Sequence, residues 1–155
     1  MQVLLLAVGT RMPDWVQAGF DDYAARLPPQ LRLVLREIPA GRRTKGADLA
    51  RIIREEGERL LAAIPPRARV VALDREGRAL STEALAAELE RQLGRGEDLV
   101  LLVGGPEGLA PACLARAADR WSLSRLTFAH PLVRVIVAEQ MYRAWSILNN
   151  LPYHR

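Results

Sequence analysis

This chain predicts a single-domain α/β fold, a mostly parallel sheet flanked by helices, and three observations carry that expectation. Short apolar runs that read as strands alternate with amphipathic helical patterns, an alternation that belongs to parallel sheets with helices on both faces. No linker, repeat or low-complexity segment interrupts it across 155 residues, a length that fits one domain with a substantial core. One apolar run, residues 99–103, passes straight into a glycine-rich turn, Gly104-Gly105-Pro106-Glu107-Gly108. Open α/β sheets keep their ligands beyond the carboxyl ends of strands, where such a turn would lie.

Residues 3–8 are continuously apolar, as in a strand buried on both faces, and Gly9-Thr10 ends them. Pro13 sits where helices begin, and residues 14–27 follow as an amphipathic helix. Its stripe is Trp15, Gly19, Tyr23 and Leu27, with Val16 and Phe20 beside it, and Pro28-Pro29 stops it. Residues 31–38 alternate apolar and polar as a half-exposed second strand. The loop after it, PAGRRTKGAD, is the most basic stretch, with Arg42, Arg43 and Lys45 between two glycines. It reads as a solvated loop or as a phosphate-contacting arm. Asp48 opens a second helix with Leu49, Ile52, Ile53, Leu60 and Leu61 turned inward. Residues 69–74 make the third strand and 75–81 a turn, where Ser81 can cap a helix carrying Leu85, Leu89 and Leu93. Gly94 and Gly96 end that helix and lead into the fourth strand. A short helix over 111–118 and a fifth strand over 121–127 follow. The turn Ala129-His130-Pro131 then launches the longest helical pattern, 132–149. Val133, Val137, Met141, Ala144 and Leu148 form its apolar stripe, while Glu139, Arg143 and Ser146 share another face. Residues 151–155 are too short and polar to form another element.

Composition excludes several classes of function. Half the residues are hydrophobic and 26% charged, ordinary globular usage. A lone cysteine, Cys113, rules out an internal disulfide framework and suggests a reducing compartment. Two histidines and one cysteine argue against a zinc site, so no metal is expected. No apolar run approaches the ~18–20 residues that cross a bilayer, and the apolar opening lacks a basic n-region. A soluble, cytoplasmic protein with no membrane partner is therefore expected. The net charge of +4 comes from 21 arginines and one lysine, Lys45. Arginine suits RNA, but a general preference for arginine over lysine explains the ratio as well. There is no P-loop, G-x-S-x-G elbow or H-E-x-x-H. The glycine turn by itself fits a ligand cradle or a plain strand-to-helix connection. Glu139 and Arg143 stand at the favourable helical spacing for a surface ion pair. His154 lies in a tail that fraying alone would explain.

Taken together, AVGTRMPDWVQAGFDDY, EIPAGRR, LDREG, LLVGGPEGL, WSLSRLTFAHPLVRV and EQMYRAWSILNNLPYHR cover nearly the whole chain in one order. In that combination the chain resembles the small SPOUT-class methyltransferases, and within them the branch that methylates N3 of a pseudouridine in large-subunit ribosomal RNA. The resemblance implies a C-terminal trefoil knot over about residues 70–155, within one domain of residues 1–155. It implies S-adenosyl-L-methionine held between three loops: Leu73 after the third strand, Gly104 in the glycine turn, and Leu123, Ser124, Arg125, Leu126, Thr127 and Phe128. It also implies a homodimer with a composite active site, in which Tyr153, His154 and Arg155 reach the partner's cofactor and Glu139 and Arg143 lie nearby. The substrate would be ribosomal RNA, with the assembled ribosome as its context. A SPOUT enzyme acting on transfer RNA and a non-enzymatic ribosome-binding module are the alternatives. The N3 imide becomes a good nucleophile only as its proton leaves, so His154, or Glu139 through a water, is a candidate acceptor. Arg143 or Arg155 would stabilise charge on the flanking carbonyls.

Overall fold

The computed structural model describes residues 1–154, and Arg155 lies outside the described residues. Along the chain come β1 (Gln2–Val8), α1 (Asp14–Ala24), β2 (Arg32–Ile38), α2 (Leu49–Ala62) and β3 (Arg69–Ala79). They are followed by α3 (Thr82–Arg95), β4 (Leu99–Val103), α4 (Pro111–Arg116), β5 (Asp119–Ser122) and α5 (His130–Leu148). The strands form one sheet in the order β2-β1-β4-β3-β5, and each neighbouring pair is parallel.

The period-2 geometry of a strand sends successive side chains to opposite faces, and β1 supplies both cores that way. Val3, Leu5 and Ala7 pack with Phe20 of α1, Leu89 of α3 and Met141 and Ala144 of α5. Leu4, Leu6 and Val8 pack on the other side with Leu60 of α2 and Cys113 of α4. Helices therefore cover the sheet on both faces, which is why residues 3–8 of β1 and all of β4 are apolar. No helix is long and apolar enough to cross a membrane among the described residues.

Local chemistry sets the ends of the elements. The Asp48 side chain accepts from the Arg51 N–H and that of Ser81 from the Ala84 N–H, so both act as N-caps. Gly96, at φ 68°, closes α3 in the left-handed conformation. Trp15 and Leu49, expected inward, are 57% and 46% exposed. Each stands in the first turn of its helix, and the buried stripes run through Val16 and Phe20, and through Ile52 and Leu60. Helix α1 stops at Ala24, and the chain passes Leu27 in turns.

Two expectations about strands are corrected. The segment expected to turn after residue 74 continues β3, because Arg78 and Ala79 pair with Trp121 and Ser122 after a register shift. Gly77 permits that shift, since a Cβ there would lie 2.8 Å from the Arg120 carbonyl. Charge holds the extension down: Arg78 Nη2 lies 2.6 Å from Asp119 Oδ2 and 3.0 Å from Glu88 Oε1. Conversely, β5 occupies Asp119–Ser122, and residues 123–127 form a loop rather than a strand. There the Ser122 hydroxyl donates to the Ser124 carbonyl and the Leu126 N–H donates to Ser124 Oγ, each at 3.0 Å. Side-chain bonds to local backbone compete with ladder pairing.

Strands β3 and β4 are neighbours, yet the helices that follow them leave on opposite faces: α3 packs with α5, α4 with α2. Such a point opens a crevice beyond the carboxyl ends of the strands.

Candidate functional site

A cavity of about 790 Å³ occupies that crevice, within the range of small-molecule sites. Its walls come from three segments far apart in sequence, residues 73–76, 103–109 and 122–131, with Val133 behind them. Leu73, Gly104, Leu123, Ser124, Leu126, Thr127 and Phe128 all line it, whereas Arg125 is exposed and does not. A side-chain bond between Arg75 and Thr127 ties the first segment to the third. Asp74, Glu107 and His130 also face the cavity. Their positions beside the predicted residues are the only signal that would have found them.

The glycine turn gives the cavity a backbone wall. Gly108 N–H donates to the Gly105 carbonyl at 2.9 Å, and Gly108 takes φ 90°, a conformation that suits glycine. A Cβ on Gly104 would lie 2.4 Å from the Gly108 carbonyl carbon and 2.8 Å from the Leu109 nitrogen. The turn closes on itself so tightly that no side chain fits at Gly104. His130, the first residue of α5, is held below the ordinary imidazole pKa by burial and by the positive charges of Arg134 and Arg43. Arg134, which sequence reasoning missed, is 1% exposed. Its guanidinium donates to the Gly9 carbonyl at 2.8 Å and pairs with Glu37, fastening α5 to the ends of β1 and β2.

The tail residues form a second group. Tyr153 Oη donates to Glu139 Oε2 at 2.7 Å, and Arg143 Nη2 lies 2.8 Å from the same carboxylate. The Arg143 guanidinium also stands over the Tyr153 ring, 4.7 Å from its centroid. Burial pushes the Glu139 carboxyl up, but hydrogen bonds from Arg143, Tyr153 and Gln140 outweigh it and hold the pKa below the ordinary value. Burial and the Glu139 charge push the Tyr153 hydroxyl the other way, well above the usual phenol range. His154 Nε2 sits 3.1 Å from Glu83 Oε1 of α3, and Nδ1 has no partner among the described residues. Ser146, expected beside Glu139 and Arg143, is buried and donates to the Arg143 carbonyl. The Arg155 assignment lies outside the described residues.

These two groups do not share one cavity within a single chain. None of Glu139, Arg143, Tyr153 and His154 lines the three-loop cavity. Glu139 instead borders an adjoining cavity of about 500 Å³, which shares Ser122, Leu123, Ser124 and Phe128 with the larger one.

The basic loop divides. Arg42 and Lys45 are exposed, but Arg43 is held by two carboxylates, Glu56 and Glu107, so the phosphate-arm expectation is corrected for Arg43. Cys113 is fully buried and its thiol pKa is raised by that burial, as suits a packing residue. No cluster of three metal-ligating side chains occurs among the described residues.

An open parallel sheet covered by helices on both faces, with a cavity where three separated segments meet, defines the class: a doubly covered α/β domain. The comparisons make it specific. The family described as "Predicted SPOUT methyltransferase" matches residues 1–154, and the chain belongs to that family. It is 57% identical over 155 residues to "Ribosomal RNA large subunit methyltransferase H" of Methylococcus capsulatus, covering 100% of both chains. It is 59% identical to the protein of the same name from Thioalkalivibrio sulfidiphilus, over 100% of this chain and 99% of that one. Among solved structures, a probable methylase family protein from Haemophilus influenzae matches at TM-score 0.55 and 10% identity, over 99% of this chain and 70% of that one. At that identity the likeness concerns the fold alone. A methyltransferase of this family needs a methyl donor, and the family implies a knotted C-terminal region.

Proposed function

We propose that this protein transfers a methyl group from S-adenosyl-L-methionine to N3 of a pseudouridine in 23S ribosomal RNA, acting in the cytoplasm on the assembled ribosome as a homodimer. The observation that carries the reading is the convergence of residues 73–76, 103–109 and 122–131 on one cavity, at the register shift of β3 and the carboxyl ends of β4 and β5. The full-length relatives named for the ribosomal large subunit supply the substrate class.

The volume of the cavity suits the cofactor, and Leu73, Val103 and Phe128 give it apolar lining beside the glycine turn. Leu73, Gly104, Leu123, Ser124, Leu126, Thr127 and Phe128 would hold the cofactor. When bound, the cofactor supplies a methyl group already activated on a sulfonium. The protein's remaining tasks are alignment and removal of the N3 proton.

The tail residues support a dimer. Within one chain Glu139, Arg143, Tyr153 and His154 stand outside the cavity, so a second protomer presenting its tail would complete the site. Leu126, on the cavity loop, is 71% exposed and offers apolar surface for such a contact. As the proton acceptor, His154 suits better than Glu139. The Glu139 carboxylate accepts from Arg143, Tyr153 and Gln140, and those bonds weaken it as a base. Arg143, with Arg155, would face the charge that develops on the base carbonyls.

The test is methyl transfer measured separately on purified subunits and assembled ribosomes, with the product nucleoside identified by mass spectrometry. N3-methylpseudouridine in ribosomal RNA is the expected product. Methylation confined to transfer RNA, or no heat on titration with the cofactor at millimolar concentration, would overturn the proposal.

A further inference from the structure

Arg43 uses its whole guanidinium inside the protein. Its Nη1 donates to Glu56 Oε2 at 2.8 Å and to the Gly41 carbonyl at 3.0 Å. Its Nε lies 3.0 Å from Glu107 Oε1, and its Nη2 reaches Glu56 Oε1 at 3.0 Å and Glu107 Oε2 at 2.6 Å. Arginine alone among side chains offers a planar fork that engages two carboxylates in this way. One carboxylate is an anchor: Glu56 on α2 is 2% exposed and also accepts the Gly41 N–H at 2.8 Å. The other belongs to the ligand cavity, since Glu107 sits in the glycine turn and lines it.

That turn is closed by its own backbone, through an isolated antiparallel bridge between Gly105 and Gly108 in which the Gly108 N–H donates to the Gly105 carbonyl, while Pro106, Glu107 and Gly108 are exposed. Among the described residues the Glu107 side chain bonds only to Arg43. The guanidinium also lies flush against the turn, because a Cβ on Gly105 would come 2.9 Å from Arg43 Nη2.

We propose that Arg43 is a positioning residue for the methyl donor: through Glu107 it holds the glycine turn in its ligand-receiving shape, with Glu56 as the buried anchor. The inference rests on reading the three-loop cavity as the donor site. A brace that merely secures residues 39–48 to α2 would make the same Glu56 contacts but would leave ligand affinity unchanged.

Two variants separate these roles. Arg43→Met with Glu56→Gln removes the fork without leaving a buried carboxylate unpaired, and the glutamine oxygen can still accept the Gly41 N–H. Glu107→Ala cuts the tether and leaves the Arg43–Glu56 pair intact. Each is titrated calorimetrically with S-adenosyl-L-methionine, and amide hydrogen exchange of residues 104–109 is followed in the ligand-free protein. Both variants should raise Kd about tenfold and speed exchange of the turn about tenfold, which corresponds to losing one strong charge-assisted contact. The triple variant should bind no more weakly than the weaker of the two, because Arg43 acts through Glu107. Arg43→Lys, which keeps the charge and loses the fork, should leave Kd raised. A Kd within twofold of the parent in the Met/Gln variant overturns the proposal whatever happens to Tm. If the parent protein itself gives no heat, the donor-site reading fails instead. Exchange then decides the tether, and unchanged exchange at 104–109 in both variants overturns it.

Discussion

Replacing Gly104 by alanine tests the site at its tightest point. The added Cβ would stand 2.4 Å from the carbonyl carbon of Gly108, 2.5 Å from its oxygen and 2.8 Å from the Leu109 nitrogen. All three are backbone atoms, so no side chain can swing away to make room. Carbon atoms pack at about 3.5 Å, and the turn must therefore open by about 1 Å. Overpacking of this size costs about 1–3 kcal/mol. For a chain of this length each kcal/mol lowers Tm by about 2–4 °C, so Gly104→Ala should melt roughly 2–12 °C below the parent. Affinity for the methyl donor should fall at least tenfold, since the displaced backbone is itself the cavity wall. Gly94→Ala is the opposing control. It lies in α3, where an added Cβ would meet nothing within 4 Å, and alanine there should stabilise by about 0.5–1 kcal/mol with no change in affinity. Differential scanning calorimetry and titration read both quantities. A Gly104→Ala protein that melts within 1 °C of the parent and binds within twofold would refute the claim that the turn's closure shapes the site.

Three further outcomes follow from the same geometry. Tyr153→Phe removes the 2.7 Å bond to Glu139, which should cost about 1 kcal/mol in urea unfolding and move the Glu139 carboxyl up toward its ordinary value by carboxylate NMR. Arg42→Ala and Lys45→Ala should each reduce the salt dependence of ribosome binding by about one unit of slope, whereas an Arg43 substitution should leave that slope unchanged, as measured by binding across a salt series. Burial pushes Glu88 and Asp119 up, but their arginine partners, Arg78 first, outweigh it and depress both in the folded state. Their contribution is therefore complete above the ordinary carboxylate range and is lost as pH falls through it toward the depressed folded values. Urea midpoints should decline between about pH 5 and pH 2, and Asp119→Asn should flatten that decline.

What the chain disclosed and what it hid divide along a physical line. Periodicity reports which side chains leave water, so Val3 to Val8, Leu99 to Val103 and the Val137–Met141–Ala144 stripe were readable. It reports nothing about bonds between segments distant in sequence. The extension of β3 depends on Arg78 meeting Asp119, 41 residues on, and on Gly77 tolerating the Arg120 carbonyl. Residues 123–127 alternate like a strand, yet two serine hydroxyls satisfy the local backbone and withdraw it from the sheet. The same reasoning explains the site. The glycine turn was conspicuous because glycine marks backbone demands directly, while Arg43 looked like any cation in a basic loop. Only the fold reveals that its two carboxylate partners, 13 and 64 residues away, belong to α2 and to the cavity wall. An arginine whose charge is wholly consumed by the protein cannot also serve a phosphate, and that is why a basic stretch of sequence divides into a structural clamp and two exposed cations, Arg42 and Lys45.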